Sequence, residues 1–326
     1  MKRIFFLIIF FCSFSTCYSQ NKELIGKWIL VKTLYSDGRK LEVNNSQYST
    51  NAIFRISPNN LNVNDQNFVA SFTPTQIKTQ YRTINYVKDK NYLVIQDAGD
   101  DKASYFLLVD DFIKKYPEFS LKEIERNGDT IYLDNNLSGY ELAVNLNFDE
   151  FMRKNMPDRN SKDYDKLYFK IEFILTADNK FKDIKVLHSI DEKHDNDYIR
   201  ALKKSEIYFK NISGKDLLIT KETLHGKFLK DLKDENERKF YEITANGITF
   251  YRNNKFEKAI EAFSQIKNLR LEEHRFKLFI KQAMVMLGIS YLAVGKNEEA
   301  CQTFNEIGDK TDFEIRNFLI DFCEKK

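Results

Sequence analysis

Five side chains between His188 and Asp197 are the residues whose types and spacing come nearest to chemistry. His188, Asp191, His194, Asp195 and Asp197 combine imidazole and carboxylate donors of the kind that hold a metal ion. The same run also reads as a polar turn between a strand and a helix capped by aspartate, which accounts for Asp191 and Asp195 with no ion. A second acidic run, Asp97 to Asp101 with Gly99, has the look of a calcium loop. It lacks the bidentate glutamate that such a loop requires, and reads as a hairpin tip. The chain has no Gly-x-Ser-x-Gly elbow, phosphate-cradling glycine loop, His-Glu-x-x-His pair or Cys-x-x-Cys, and only four histidines to act as bases. The expectation is a protein without catalytic residues, cofactor or metal.

Lys2 and Arg3 precede an apolar run from Ile4 to Phe11, followed by Cys17-Tyr18-Ser19-Gln20. This is the pattern of a secretory signal over residues 1–19, cleaved between Ser19 and Gln20. It implies export across the inner membrane to the periplasm, and no later stretch is expected to span a bilayer. Acylation of Cys17 would instead anchor the protein, although Phe14-Ser15-Thr16 fits the required small-residue box poorly. Cleavage removes two of the 51 bases and none of the 48 acids, leaving a formal charge of +1. Lysines and acids alternate almost everywhere, which excludes a nucleic-acid-binding stripe. Of the four cysteines, Cys301 and Cys323 survive cleavage. In an oxidising compartment they form a disulfide contributing about 3 kcal/mol, or remain as two buried thiols.

Residues 20–138 alternate with period two and are punctuated by turns such as Ser36-Asp37-Gly38 and Asn127-Gly128-Asp129. Strands are expected at Lys27–Tyr35, Ala52–Ser57, Phe68–Phe72, Lys78–Val87, Tyr92–Gln96, Ala103–Val109 and Thr130–Leu133, enough for a small all-β barrel or sandwich. The opening Leu24-Ile25-Gly26-Lys27-Trp28-Ile29-Leu30, with the only tryptophan of the chain, resembles the first strand of lipocalin-like domains. That resemblance implies a barrel closed at one end by Trp28. Its mouth either holds a small apolar ligand or is filled by side chains. Ile53, Ile56, Phe68, Phe72, Tyr81, Leu93 and Phe106 are the expected inner-face residues.

Residues 139–225 change pattern to helix, two strands, helix, strand. Phe148 to Met152 is a short helix. Leu167, Phe169, Ile171, Phe173 and Leu175 alternate, Ala177-Asp178-Asn179-Lys180 turns, and Ile184, Val186, His188 and Ile190 return. Asp195 is the expected cap of the next helix, and Ile212 to Thr223 the last strand. Phe169–Leu175, the turn at Asp178, Ile184–Leu187 and Tyr198–Lys203 resemble the C-terminal domain of TonB. That family pairs a strand with a peptide of outer-membrane transporters. The chain lacks a proline-rich arm, having only Pro58, Pro74, Pro117 and Pro157, and carries Tyr208-Phe209-Lys210 where the family has tryptophan and proline. The resemblance therefore implies an interaction module without energy transduction.

Residues 226–326 repeat one set of offsets. Ile243, Gly247, Phe250, Phe256, Ala259 and Phe263 recur as Met284, Gly288, Tyr291, Asn297, Ala300 and Phe304. A small residue facing a large aromatic in this way interlocks two antiparallel helices, and the pattern resembles the tetratricopeptide repeat. It departs in its 41-residue spacing, in lacking a closing proline, and at Ile266 and Ile307. Ile315, Phe318, Leu319 and Phe322 then form the stripe of a capping helix. The resemblance implies an apolar partner groove of Tyr241, Thr244, Ile248, Tyr251, Arg252, Gln282, Val285, Ile289 and Leu292, unless packing on the preceding domain covers it.

The whole sequence reads as a multidomain chain: a small all-β, lipocalin-like barrel, an α+β TonB-like sheet, then all-α tetratricopeptide-like hairpins. The expected function is a non-enzymatic adaptor for protein partners in the cell envelope. The alternative is a carrier of a small apolar ligand in the barrel.

Overall fold

The computed structural model describes residues 23–64, 66–135, 137–143, 146–159, 168–225 and 234–324. The expected leader, with Cys17, Ser19 and Gln20, lies outside them. The chain divides after Pro117 into two compact units.

In the first unit β1 (Gly26–Tyr35), β2 (Ile53–Ser57), β3 (Asn60–Val63), β4 (Gln66–Phe72), β5 (Gln76–Thr79), β6 (Thr83–Asp89), β7 (Tyr92–Asp97) and β8 (Lys102–Leu108) follow one another round a closed antiparallel barrel. This is compatible with the lipocalin-like expectation. Closure is made by β1, whose Trp28 stands opposite Phe54 of β2 and Leu108 of β8. Alternation sends Trp28, Ile56, Leu61, Ile77, Ile84, Leu93 and Phe106 into one core. At this end Trp28 is fully buried, and its indole N–H donates to the Leu24 carbonyl at 2.8 Å, so the ring sits inside without an unpaired donor. Helix α1 (Val109–Lys115) follows and buries Phe112.

Several local expectations change. Ile56, Leu93 and Phe106 are core residues and Phe72 packs against them, but Phe54 takes the inner position expected of Ile53, a one-residue change of parity. Tyr81 lies in a turn and is 73% exposed, with half-buried Phe68 edge-on at 5.9 Å. That turn splits the expected strand Lys78–Val87, because the Thr79 hydroxyl accepts from the Tyr81 and Arg82 N–H groups. Strand β3 has no clear sequence signal, as its asparagines are poor strand formers.

The second unit is built on a five-stranded sheet, ordered β13-β12-β15-β10-β9. Its strands are β9 (Lys122–Arg126), β10 (Asp129–Leu133), β12 (Tyr168–Leu175), β13 (Phe181–His188) and β15 (Leu217–Leu224). Strand β10, grouped by sequence with the barrel, pairs in parallel with β15 here. A separate ladder joins β11 (Tyr140–Leu142) to β14 (Phe209–Asn211). Odd residues of β12 (Phe169, Ile171, Phe173, Leu175) are completely buried with Leu217 and Ile219. Helices α2 (Phe148–Asn155) and α3 (Glu192–Ser205) add Met152, Tyr198, Ala201 and Leu202 to this core. The turn after β12 closes with Asn179 at φ +66°, a conformation asparagine tolerates. Asp191, rather than the expected Asp195, caps α3 by accepting from the His194 N–H at 2.7 Å.

Two helix pairs follow: α4 (Glu235–Arg252) with α5 (Phe256–Ser264), and α6 (Glu273–Ala293) with α7 (Asn297–Ile307). The first helix of the second pair is three residues longer than α4, and residues 265–272 intervene, which accounts for the long period. Phe263 and Phe304, both fully buried, pack directly against Gly247 and Gly288, so the sequence repeat is also a packing repeat. By length and composition α6 would suffice to cross a membrane, contrary to expectation; 44% of its apolar window is buried in the protein, with Ala283, Met284 and Leu287 in the helical core. The expected capping helix is a short turn, α8 (Arg316–Phe318), continued as a π-turn to Cys323. Phe318 stacks on Phe304 at 5.0 Å, and Cys323 is bonded to Cys301 of α7.

A Cβ at position 247 or 288 would overlap a buried phenyl ring. Overpacking costs about 1–3 kcal/mol, more than the gain of up to about 1 kcal/mol in helix propensity. Gly247→Ala and Gly288→Ala are therefore expected to lower unfolding stability in urea; unchanged midpoints would refute this packing. Reduction, or Cys301→Ser with Cys323→Ser, should cost about 3 kcal/mol for the 22-residue separation, read as a lower denaturation midpoint.

Candidate functional site

The inner face of the barrel changes character along each strand. On β7 the inward series runs Leu93, Ile95, Asp97; on β8 it runs Phe106, Ser104, Lys102; on β1 it runs Trp28, Leu30 and, past a bulge, Thr33. Apolar side chains therefore fill the end at Trp28, and polar ones surround the other. There the barrel encloses a cavity of about 280 Å³. Leu30, Phe54, Ile95 and Phe106 form its apolar wall, and Thr33, Asn64, Arg82, Asp97, Lys102 and Ser104 are among its polar lining.

The rim is internally paired. Arg82 Nη1 lies 3.2 Å from Asp97 Oδ2, and Lys102 Nζ lies 3.1 Å from both Asp100 and Asp101. The Lys102 hydrogen bond holds the Asp100 carboxyl below the usual carboxylate range. The hydroxyls of Thr33 and Ser104 are 3.0 Å apart. Loops at this end are laced together. Asn64 Nδ2 donates to the Asn51 carbonyl at 3.0 Å, and Gln96 Nε2 donates to Ser36 Oγ at 2.9 Å. No histidine or cysteine occurs among the described residues of the lining. Its ionisable lining groups are the carboxylates of Asp97 and Asp100 and the cations of Arg82 and Lys102.

The polar end of the barrel escaped sequence reading, although the switch from Ile95 to Asp97 and from Phe106 to Ser104 was its signal. The run Asp97–Asp101 forms the β7–β8 turn, with Gly99 at φ +87°.

The nine groove residues fall on α4 and α6. Ile289 and Leu292 are buried, Tyr241, Thr244, Ile248, Tyr251 and Val285 are half-buried, and Arg252 and Gln282 are exposed. Tyr241 packs against Phe276 and Phe279 of α6, so part of the expected groove is closed by the helices themselves.

The five residues of the His188–Asp197 run do not converge. Asp191 caps α3 and forms an ion pair with Arg159 at 3.1 Å, while Asp197 pairs with Arg200 at 2.7 Å. His188 lies on one face of the sheet beside Tyr168, and His194 on the other beside Phe169. Among the described residues, no three His, Cys, Asp or Glu side chains form a metal-binding group.

No protein-family model matches the chain, nor does any curated protein or solved structure.

The rim pairing makes a direct prediction. Lys102→Ala should move the Asp100 carboxyl titration upward, because its largest stabilising hydrogen bond is removed. Carboxyl carbon shifts followed by NMR against pH would show this; an unmoved Asp100 midpoint would contradict the rim geometry.

Proposed function

We propose that this protein is a non-enzymatic binding protein whose barrel receives a small molecule. The observation that carries the reading is the cavity, with an apolar wall and a paired polar rim. Its volume corresponds to about nine waters at ~30 Å³ each and lies near the lower end of small-molecule pockets. The ligand is thus compact, with an apolar body against Phe54 and Phe106 and a polar end among Thr33, Ser104 and Lys102. The rim cations already have carboxylate partners, so recognition of the polar end relies on hydrogen bonding more than on net charge. The resemblance of the first strand supports a lipocalin-like carrier, and the leader pattern of residues 1–19 supports export to the periplasm.

A second reading is an envelope adaptor, favoured by the twice-repeated glycine–phenylalanine packing of the helix pairs. In it, tetratricopeptide-like helices and a TonB-like sheet are surfaces for protein partners. The half-buried residues Ile248, Tyr251 and Val285 are the apolar positions left for contact.

Native mass spectrometry of the protein purified gently from its own envelope separates the readings. A bound small molecule that is lost in Ser104→Phe, which fills the cavity, supports the carrier. A co-purifying polypeptide retained by that variant supports the adaptor. A bare chain in both preparations would leave the carrier reading without its ligand and count against it.

A further inference from the structure

All four histidines of the chain meet at one end of β12, two on each face of the sheet. The consecutive residues Tyr168 and Phe169 point to opposite faces, and each touches two imidazoles directly or through its partner ring. On one face His188 of β13 and His274 of α6 have ring centroids 4.5 Å apart, and Tyr168 stacks on His274 at 5.6 Å. On the other face Phe169 lies 4.8 Å from His194 of α3, which meets His225, just beyond β15, at 5.7 Å. Sheet, α3 and the start of α6 are therefore joined where four titratable rings sit in pairs.

We propose that this seam is an acid-triggered latch: protonation of the paired imidazoles loosens the end of β15 and the first turns of α6 from the sheet, while the barrel remains folded.

The charges around each pair decide the sign. Around His194 and His225, α3 contributes Asp195, 3.5 Å from His194 Nδ1, and Asp191. Residue Arg159 is already tied to Asp191, and Tyr198 keeps its proton, its pKa pushed up to about 12 by burial. Burial outweighs the carboxylates. It lowers His194 and, with the neighbouring His194, brings His225 down to about 4.

Around the other pair, β12 supplies Tyr168 and Lys170, β15 supplies Glu222, and α6 supplies Lys277 and its N-terminal end. Glu222 is committed to Lys170 at 3.0 Å and to the Tyr168 hydroxyl. Two imidazolium rings there would repel each other next to the positive end of a helix.

For a histidine lowered by folding, the unfolded chain binds the proton first. The stability present above about pH 6.5 is therefore lost as pH falls toward the folded-state value near 4.

Hydrogen exchange of the full chain at pH 7.5 and pH 5, corrected for intrinsic chemical rates, tests the latch. In the wild type, protection at Lys221–Leu224 and in the first turns of α6 should drop at least about tenfold, with β1–β8 unchanged. The double variant His225→Gln/His274→Gln removes one ring from each pair and should keep its protection within about threefold between the two pH values. Equal wild-type protection at both pH values, or an equal loss in the variant, overturns the proposal. Should the variant not fold, the ring signals of His194 and His225 in the wild type decide. Midpoints well below those of free histidine, accompanied by changes in seam amides, uphold the latch; ordinary midpoints with silent amides overturn it.

Discussion

The second unit hangs on the two faces of one strand. In β12 every odd side chain from Phe169 to Leu175 is shielded completely from water, and α2, α3 and β15 are arranged to cover them. Of the even side chains, which face the other way, Lys170 and Glu172 carry charge and Ile174 is buried. Lys170 pairs with Glu222 across to β15, and Glu172 pairs with Arg126 of β9 at 2.7 Å. A slip of one residue would place four large apolar groups among these ions and the ions in the core, so the register admits no alternative of similar energy. The same alternation sets Tyr168 and Phe169 back to back and thereby divides the histidines between the faces.

The barrel obeys that period but varies it along its length. One end is closed by Trp28 and a layer of aliphatic side chains, as a small eight-stranded barrel allows. Toward the other end the inner positions become hydroxyls and ion pairs, which line a cavity. A filled interior and an open one, alternatives from sequence, thus occupy different ends of one barrel. The helical region solves a different problem. In each pair the long first helix admits a phenyl ring of its partner at a glycine, and the device is used twice.

Much of the secondary structure was legible because its cause is local. Alternation located most strands to within a few residues, and the offsets around Gly247 and Gly288 located the helix pairs. Where competing local signals stood close together the reading slipped. Asp191 and Asp195 both qualify as caps, and only the backbone path shows that Asp191 holds the position while Asp195 sits within the first turn. The Thr79 hydroxyl ended a strand that apolar alternation alone would have continued.

By itself, the sequence determined which residues prefer strand or helix, which face of each is apolar, and the duplicated glycine–aromatic packing. Those properties depend on neighbours within a few positions, where periodicity and turn chemistry act directly. Tertiary structure alone decided that β10 joins β15 in the second sheet, that a polar cavity opens opposite Trp28, and that four histidines scattered over nearly ninety positions share one seam. Such contacts form only after long loops close, so no local window contains the information that selects them.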